Sequence, residues 1–228
     1  MKNTVSFAAI GCMLMCASIS HGQVTSSSFS NGGIARSSAS GTGNVRLNAV
    51  ASASNGGYAS ATMNGSGLYG GRAVGNSIAA SNGGVAISRG RSHARGWNAY
   101  SSSNAVAGSN FGYARAVDSA FARGNASARS MSGAFTTGGT AIANGRANAR
   151  GYWGGRAVAN NTAISAVDYG VGISDGSANA VGWYGGRARA NSGAYSVGVG
   201  GYRRAGAHAN SRAYFGGFSR SGAMHFAP

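Results

Sequence analysis

The sequence predicts an all-β repeat protein, a β-solenoid or a stack of silk-like sheets built on repeats of 15–16 residues. Three observations predict it. Glycines recur at a fixed spacing, tiny side chains fill every second position, and large aliphatic residues are too scarce for an ordinary core.

The spacing is clearest near the C-terminus. Gly139, Gly155, Gly170, Gly186, Gly201 and Gly217 stand 15 or 16 residues apart and open five similar blocks. Self-similarity at a short fixed period is the mark of a repeat architecture. With each leading glycine as offset zero, 27 of the 30 residues at even offsets from two to twelve are Gly, Ala or Ser. Only four of the 30 at odd offsets from one to eleven are. The even-side exceptions are Asn161, Val167 and Arg203. Successive side chains of an extended strand point to opposite faces, so a period of two means β-structure. A helix alternates at 3.6 and a polyproline-type bundle at three.

Composition alone points the other way. After Gly22, Leu, Ile, Val and Phe supply 28 of 206 residues, below the ~20% under which a highly charged chain is suspected of disorder. A disordered chain has no reason to sort residues by parity, and that decides for β-structure.

Two arrangements of the blocks fit. In a solenoid each block is one coil, with short strands near offsets one to four and seven to eleven. In a meander each block is one long strand and a hairpin joins it to the next. Asn144, Asn160, Asp175, Asn191 and Gly206 at offset five are turn-forming residue types and favour the coil. Parity that runs unbroken through that offset favours the long strand. A second punctuation is aromatic: Tyr152-Trp153-Gly154-Gly155, Trp183-Tyr184-Gly185-Gly186 and Tyr214-Phe215-Gly216-Gly217 recur every 31 residues, with Leu68-Tyr69-Gly70-Gly71 as an upstream copy.

The organisation follows. Residues 1–22 read as a signal peptide: Lys2, then the apolar stretch Phe7–Ala17, then Ser20-His21-Gly22 as the cleavage signal. A looser lipobox-like reading, Ala9-Ile10-Gly11-Cys12, would leave a lipidated Cys12 instead. Residues 23–48 are Ser-rich and read as a flexible lead-in, 49–217 as the β-repeat domain, and 218–228 as a tail. Both cysteines, Cys12 and Cys16, precede the mature chain, which leaves no thiol for disulfides or metal. No later stretch is apolar enough for a transmembrane helix.

Chemistry is hard to find. His93, His208, His225, Asp118, Asp168 and Asp175 show no triad or metal-ligand spacing, and no nucleotide fingerprint is present. The sequence therefore predicts neither an enzyme nor a cofactor or metal site. What it does carry is charge: 19 Lys and Arg against three acids, a formal +16. Eight of the nine arginines from Gly139 onward fall on odd offsets: Arg146, Arg150, Arg156, Arg187, Arg189, Arg204, Arg212 and Arg220. With the corner aromatics Tyr152, Trp153, Trp183, Tyr184, Tyr214 and Phe215 they predict one surface for polyanions. Guanidinium offers a planar fork to carboxylate or phosphate, and aromatic rings offer stacking planes. The Ser88–Trp97 segment, SRGRSHARGW, resembles the arginine-glycine stretches of RNA-binding proteins.

The Ala/Gly/Ser alternation resembles silk. The roughly 15-residue blocks are similar to head repeats of trimeric autotransporter adhesins, and small interiors are shared with curli-type subunits and ice-binding solenoids. The Gln ladders of curli and the Thr-x-Thr rows of ice binders are missing, so no one family is assigned. The functional expectation is a secreted structural or adhesive protein of an extracellular fibre, matrix or surface layer. Its partners would be further copies of itself and anionic polysaccharide, envelope or extracellular DNA. The alternative is a monomeric extracellular binding module for a glycan, a polyanion or ice.

Overall fold

The structure, a computed structural model, describes residues 22–153 and 155–228. The proposed signal segment up to His21, including Cys12, lies outside the described residues. The chain is a parallel β-solenoid of about seven turns with two sheets. One sheet holds β1 (Gly22–Asn31), β3 (Val45–Ser54), β5 (Arg72–Asn82), β7 (Tyr100–Asn110), β9 (Ala126–Thr136), β11 (Arg156–Val167), β13 (Arg187–Val197) and β15 (Phe218–Phe226), in that order. The other holds β2 (Ile34–Thr42), β4 (Tyr58–Gly67), β6 (Val85–Gly96), β8 (Gly112–Gly124), β10 (Gly139–Gly151), β12 (Gly170–Gly182) and β14 (Gly201–Ala213). Each strand passes to the facing sheet through a short corner, and pairs with the strand two places along the chain.

Each glycine-led block is therefore one strand, and a coil takes two blocks. Gly139 pairs with Gly170 and Gly170 with Gly201, in parallel, so the hairpins of a meander are absent from the described residues. The 31-residue recurrence of the aromatic corners is the length of one coil, seen again where the amides of Asn160 and Asn191 meet at 3.0 Å, 31 residues apart. The offset-five residues are not turns. Asn144, Asn160, Asp175 and Asn191 sit in mid-strand facing outward. Asparagine amides suit this position because each can bond its copy in the next coil, as Asn179 does with Asn148 at 3.1 Å and Asn76 with Asn48 at 3.0 Å.

The parity rule holds at the level of burial. In β10 the inner residues Ala141, Ala143, Gly145, Ala147, Ala149 and Gly151 are buried, while Arg146 and Arg150 point outward and are exposed. Two such faces press together into a thin core. An alanine methyl contributes only about 0.8 kcal/mol, so stability comes from the parallel ladders and from many small contacts. Serine hydroxyls meet across the core: Ser92 Oγ and Ser101 Oγ are 2.6 Å apart, and Ser88 Oγ donates to Ser77 Oγ at 2.8 Å.

The few large inner side chains sit opposite glycine. A Cβ on Gly75 would lie 2.7 Å from Met63 Sδ, and one on Gly41 or Gly65 would lie 3.1 Å from Leu47. Val167 faces Gly172 in the same way, at 3.0 Å. Volume is thus held roughly constant across the two sheets, coil by coil.

The ends differ from the sequence expectation. Residues 23–48 form β1, β2 and the start of β3 rather than a flexible lead-in. Serine on both faces hides the alternation there, and Ser37 Oγ donates to Ser26 O at 2.6 Å to join the first two strands. Residues 218–226 are not a tail but β15, paired with β13.

Candidate ligand-binding edge

The two edges of the solenoid are built differently, and one gathers the aromatic corners. That edge runs through residues 68–71, 97–98, Asn125, Tyr152, Trp153, Gly155, 183–186 and 214–217, in the corners leading from an even-numbered strand to the next odd one. At Trp183–Gly186 the chain has consecutive positive φ angles, 53° at Tyr184 and 75° at Gly185. Gly186 N donates to Trp183 O at 3.3 Å. These are the marks of a type I′ turn, which normally selects Asn-Gly or Gly-Gly. An aromatic at the first central position is unusual, since a bulky residue at positive φ is strained. The turn throws that ring outward, away from both sheets.

The same geometry in successive coils makes a ladder. The rings of Trp153 and Tyr184 stack 4.7 Å apart at 10°, and those of Tyr184 and Phe215 stack 5.0 Å apart at 7°. A second row pairs Trp183 with Tyr214 at 4.4 Å. Ring spacing follows coil spacing, the ~4.7–4.9 Å between neighbouring strands. Stacked aromatic pairs contribute about 1 kcal/mol beyond their burial. Tyr184→Ala, which removes the middle ring, should therefore lower the unfolding free energy by roughly 1–2 kcal/mol in urea denaturation. An unchanged midpoint would show that the ladder carries no stability.

Arginine columns flank this edge on both sides. On the even-strand sheet, Arg95, Arg123 and Arg150 are register partners, and Arg212 follows one coil beyond Val181. On the odd-strand sheet, Arg156 pairs with Arg187, and Arg189 with Arg220. Those four line a shallow groove of about 280 Å³ with Phe218. Arg123 lies over the Tyr152 ring at 5.3 Å.

The predicted single arginine face is thus two faces that meet along the aromatic edge. Arg150, Arg212, Arg156, Arg187, Arg189 and Arg220 come together there. Arg146 and Arg204 lie further in on the even-strand sheet, beside Ser177 and Ile173. Tyr152, Trp153, Trp183, Tyr184, Tyr214 and Phe215 all lie on the edge. Sequence reasoning missed Arg123, and left Arg95 and Trp97 inside a nucleic-acid-like segment. The signal for the two arginines was spacing: Arg95 and Arg123 lie as far after Gly84 and Gly112, which open looser upstream blocks, as Arg150 lies after Gly139.

Arg203 is the one C-terminal arginine on an inner column. It sits in the last even strand, where Nε donates to Pro228 O at 2.8 Å and a terminal nitrogen to Gly198 O at 2.6 Å.

The acids do not neutralise these columns. Asp168 and Asp175 are exposed, at the opposite edge and in mid-sheet, and Asp118 is 2% exposed in the core. Like charges held a few ångströms apart repel by about 1 kcal/mol per pair even in bulk water. His93, under Phe121 at 4.9 Å, has its pKa lowered by burial and then by Arg95. Among the described residues no group of three or more His, Cys, Asp or Glu is placed to hold a metal ion. Among the described residues no helix is long and apolar enough to cross a membrane.

No protein-family model, curated protein or solved structure matches this chain.

Proposed function

We propose that the protein is a secreted structural or adhesive subunit that stacks end to end and holds an anionic polymer along its arginine-flanked aromatic edge. The observation that carries this is the state of the two ends. Every residue of β15 is exposed, and the inner alanines of β14 are only half-buried where their counterparts in β12 are fully buried. At the other end β1 is half-covered on its inner face, and Phe29 and Ile34 are exposed. Open strand edges pair with other chains. β15 and β14 of one copy match β1 and β2 of the next in direction and sheet order, with Arg203 and His225 as the bulky exceptions on their inner faces.

The edge supports the second half of the proposal. A polyanion lying along the axis would meet an arginine or ring at most coils and would relieve the repulsion within each column. Binding the folded state alone, it would also raise the melting temperature.

Negative-stain microscopy and light scattering of residues 23–228, with and without polygalacturonate, test both halves. The expected result is filaments whose length grows with protein concentration and which bundle when the polymer is added. A chain that stays monomeric at high concentration contradicts assembly. The second reading, a monomeric binding module, rests on Arg203, whose bonds to Gly198 and Pro228 partly cover the C-terminal end. It predicts a monomer that still binds the polymer.

A further inference from the structure

The aromatic edge is interrupted at one coil. Between Trp97 and Tyr152 it passes through the corner from β8 to β9, where Asn125 follows Gly124 and no ring is present. Register explains the gap. Ala122 and Ala126 are the partners of Ala149 and Ala157, so residues 123–125 bridge what residues 150–156 bridge one coil later. The short corner lies flush with the sheets. The longer one after it projects, and Trp97 projects from the coil before.

The result is a cleft of about 400 Å³ lined by Arg95, Trp97, Arg123, Asn125, Tyr152 and Trp153. Volumes of this size are typical of small-ligand sites. Tyr184 covers one face of the Trp153 ring, and the other face opens into the cleft. Trp97 and Trp153 remain 77% and 71% exposed. Arg95 and Arg123 are register partners on the outer face, and both line the cleft. The Tyr152 ring holds that of Arg123 from the side. Asn125 itself is engaged, with Nδ2 donating to Asn98 Oδ1 at 3.1 Å and Oδ1 accepting from Arg156 N at 2.8 Å, which fixes a polar floor.

A flat ring seated at the level of Asn125 would continue the ladder at the spacing seen between Trp153 and Tyr184. We propose that this cleft seats one uronate residue of an anionic polysaccharide. The apolar face of its pyranose ring packs on Trp153 and against Trp97, and its carboxylate is taken by Arg95 and Arg123. Two guanidinium forks suit a planar carboxylate. A stacked nucleic-acid strand, with a phosphate about every 3.4 Å, falls out of step with columns spaced at ~4.8 Å.

This inference rests on the polymer-binding half of the function proposed above, and its test separates the two. Two of the three tryptophans line the cleft, so intrinsic fluorescence reports on it directly. The titration uses a galacturonate hexamer, its methyl ester and an oligothymidine of equal charge, in near-physiological salt, with circular dichroism to confirm that each variant is folded. The hexamer is expected to quench the parent protein. Trp97→Ala and the double variant Arg95→Gln, Arg123→Gln should each weaken it at least tenfold, and methyl esterification should weaken it as much. Arg146→Gln, on the same sheet outside the cleft, should change it less than twofold. Failure of the parent to bind the hexamer, or equal binding by the cleft variants or by the ester, would overturn the site. Tighter, Trp97-dependent binding of oligothymidine would reassign it to a nucleobase. Filaments that bundle with polymer while the cleft variants bind unchanged would leave the wider function standing and remove this site.

Discussion

Gly139→Ala is expected to remove about 3 kcal/mol or more of stability, enough to prevent a marginal solenoid from folding. Gly139 has φ of 111°, a conformation that L side chains rarely adopt. A Cβ there would fall against the carbonyl oxygen of Gly112 in the preceding coil. The same clash recurs down the column: Gly84 against Gly57, Gly112 against Gly84, Gly170 against Gly139 and Gly201 against Gly170. These are the glycines that open every second block. Their spacing in the sequence exists because the backbones at this edge approach too closely for any side chain. Gly108→Ala is the control. Gly108 lies in β7 at an ordinary φ, and a Cβ there would have nothing within 4 Å of it, so alanine should be neutral or stabilise by about 0.5–1 kcal/mol. Thermal melts of the two variants beside the parent decide it. Equal melting temperatures would mean that the coils can separate at Gly139 without loss.

The second large effect is a fall in stability with rising pH, centred on Asp118. Its carboxyl is buried between the sheets, and desolvation pushes its pKa from 3.8 up to about 7. Hydrogen bonds oppose that shift without cancelling it: Ser103 Oγ reaches Oδ1, while Ser130 Oγ at 2.8 Å and Met131 N at 2.9 Å donate to Oδ2. Gly90 lies directly beneath, where a Cβ would strike Asp118 Oδ1. Because the folded pKa lies above the unfolded one, the unfolded chain loses this proton first. Stability is fully present below about pH 4, declines as pH rises, and levels off above about pH 7. The decline is on the order of 4 kcal/mol for a shift of this size. His93 has its folded pKa lowered, so it opposes this trend weakly, below its ordinary value. Asp118→Asn should flatten the profile and make the protein more stable than the parent at pH 8, since a neutral amide can still accept from Met131 N and donate to Ser103 Oγ. Urea denaturation at pH 4, 6 and 8 measures this. A parent more stable at pH 8 than at pH 4 would contradict it.

The fold was legible in the sequence because burial in a solenoid repeats with the backbone. Alternation marked the strands of residues 139–217, and the leading glycines marked both edges. The number of blocks per coil was not legible, because asparagine serves turns and outward ladders equally well. Asn144 and Asn160 belong to ladders. The first coils were hidden by serine, which is small enough for the inner face and polar enough for the outer one. Asp118 was hidden because parity in its block places a carboxylate among alanines, and the hydrogen bonds from Ser103, Ser130 and the Met131 backbone make that position habitable. The corner aromatics were visible as a motif. That they stack, and that Asn125 interrupts the stack, depends on corner lengths that only register reveals.

The pairing of every second block can be measured by pyrene excimer fluorescence on residues 23–228, which contain no cysteine of their own. Asn148 and Asn179 are register partners on the outer face, whereas a coil of one block would instead set Asn148 over Ile164. Pyrene attached after Asn148→Cys with Asn179→Cys should give strong excimer emission, and Asn148→Cys with Ile164→Cys should give none. Excimer from the second pair and not the first would contradict the two-strand coil on which the inner face, the aromatic ladder and the cleft all depend.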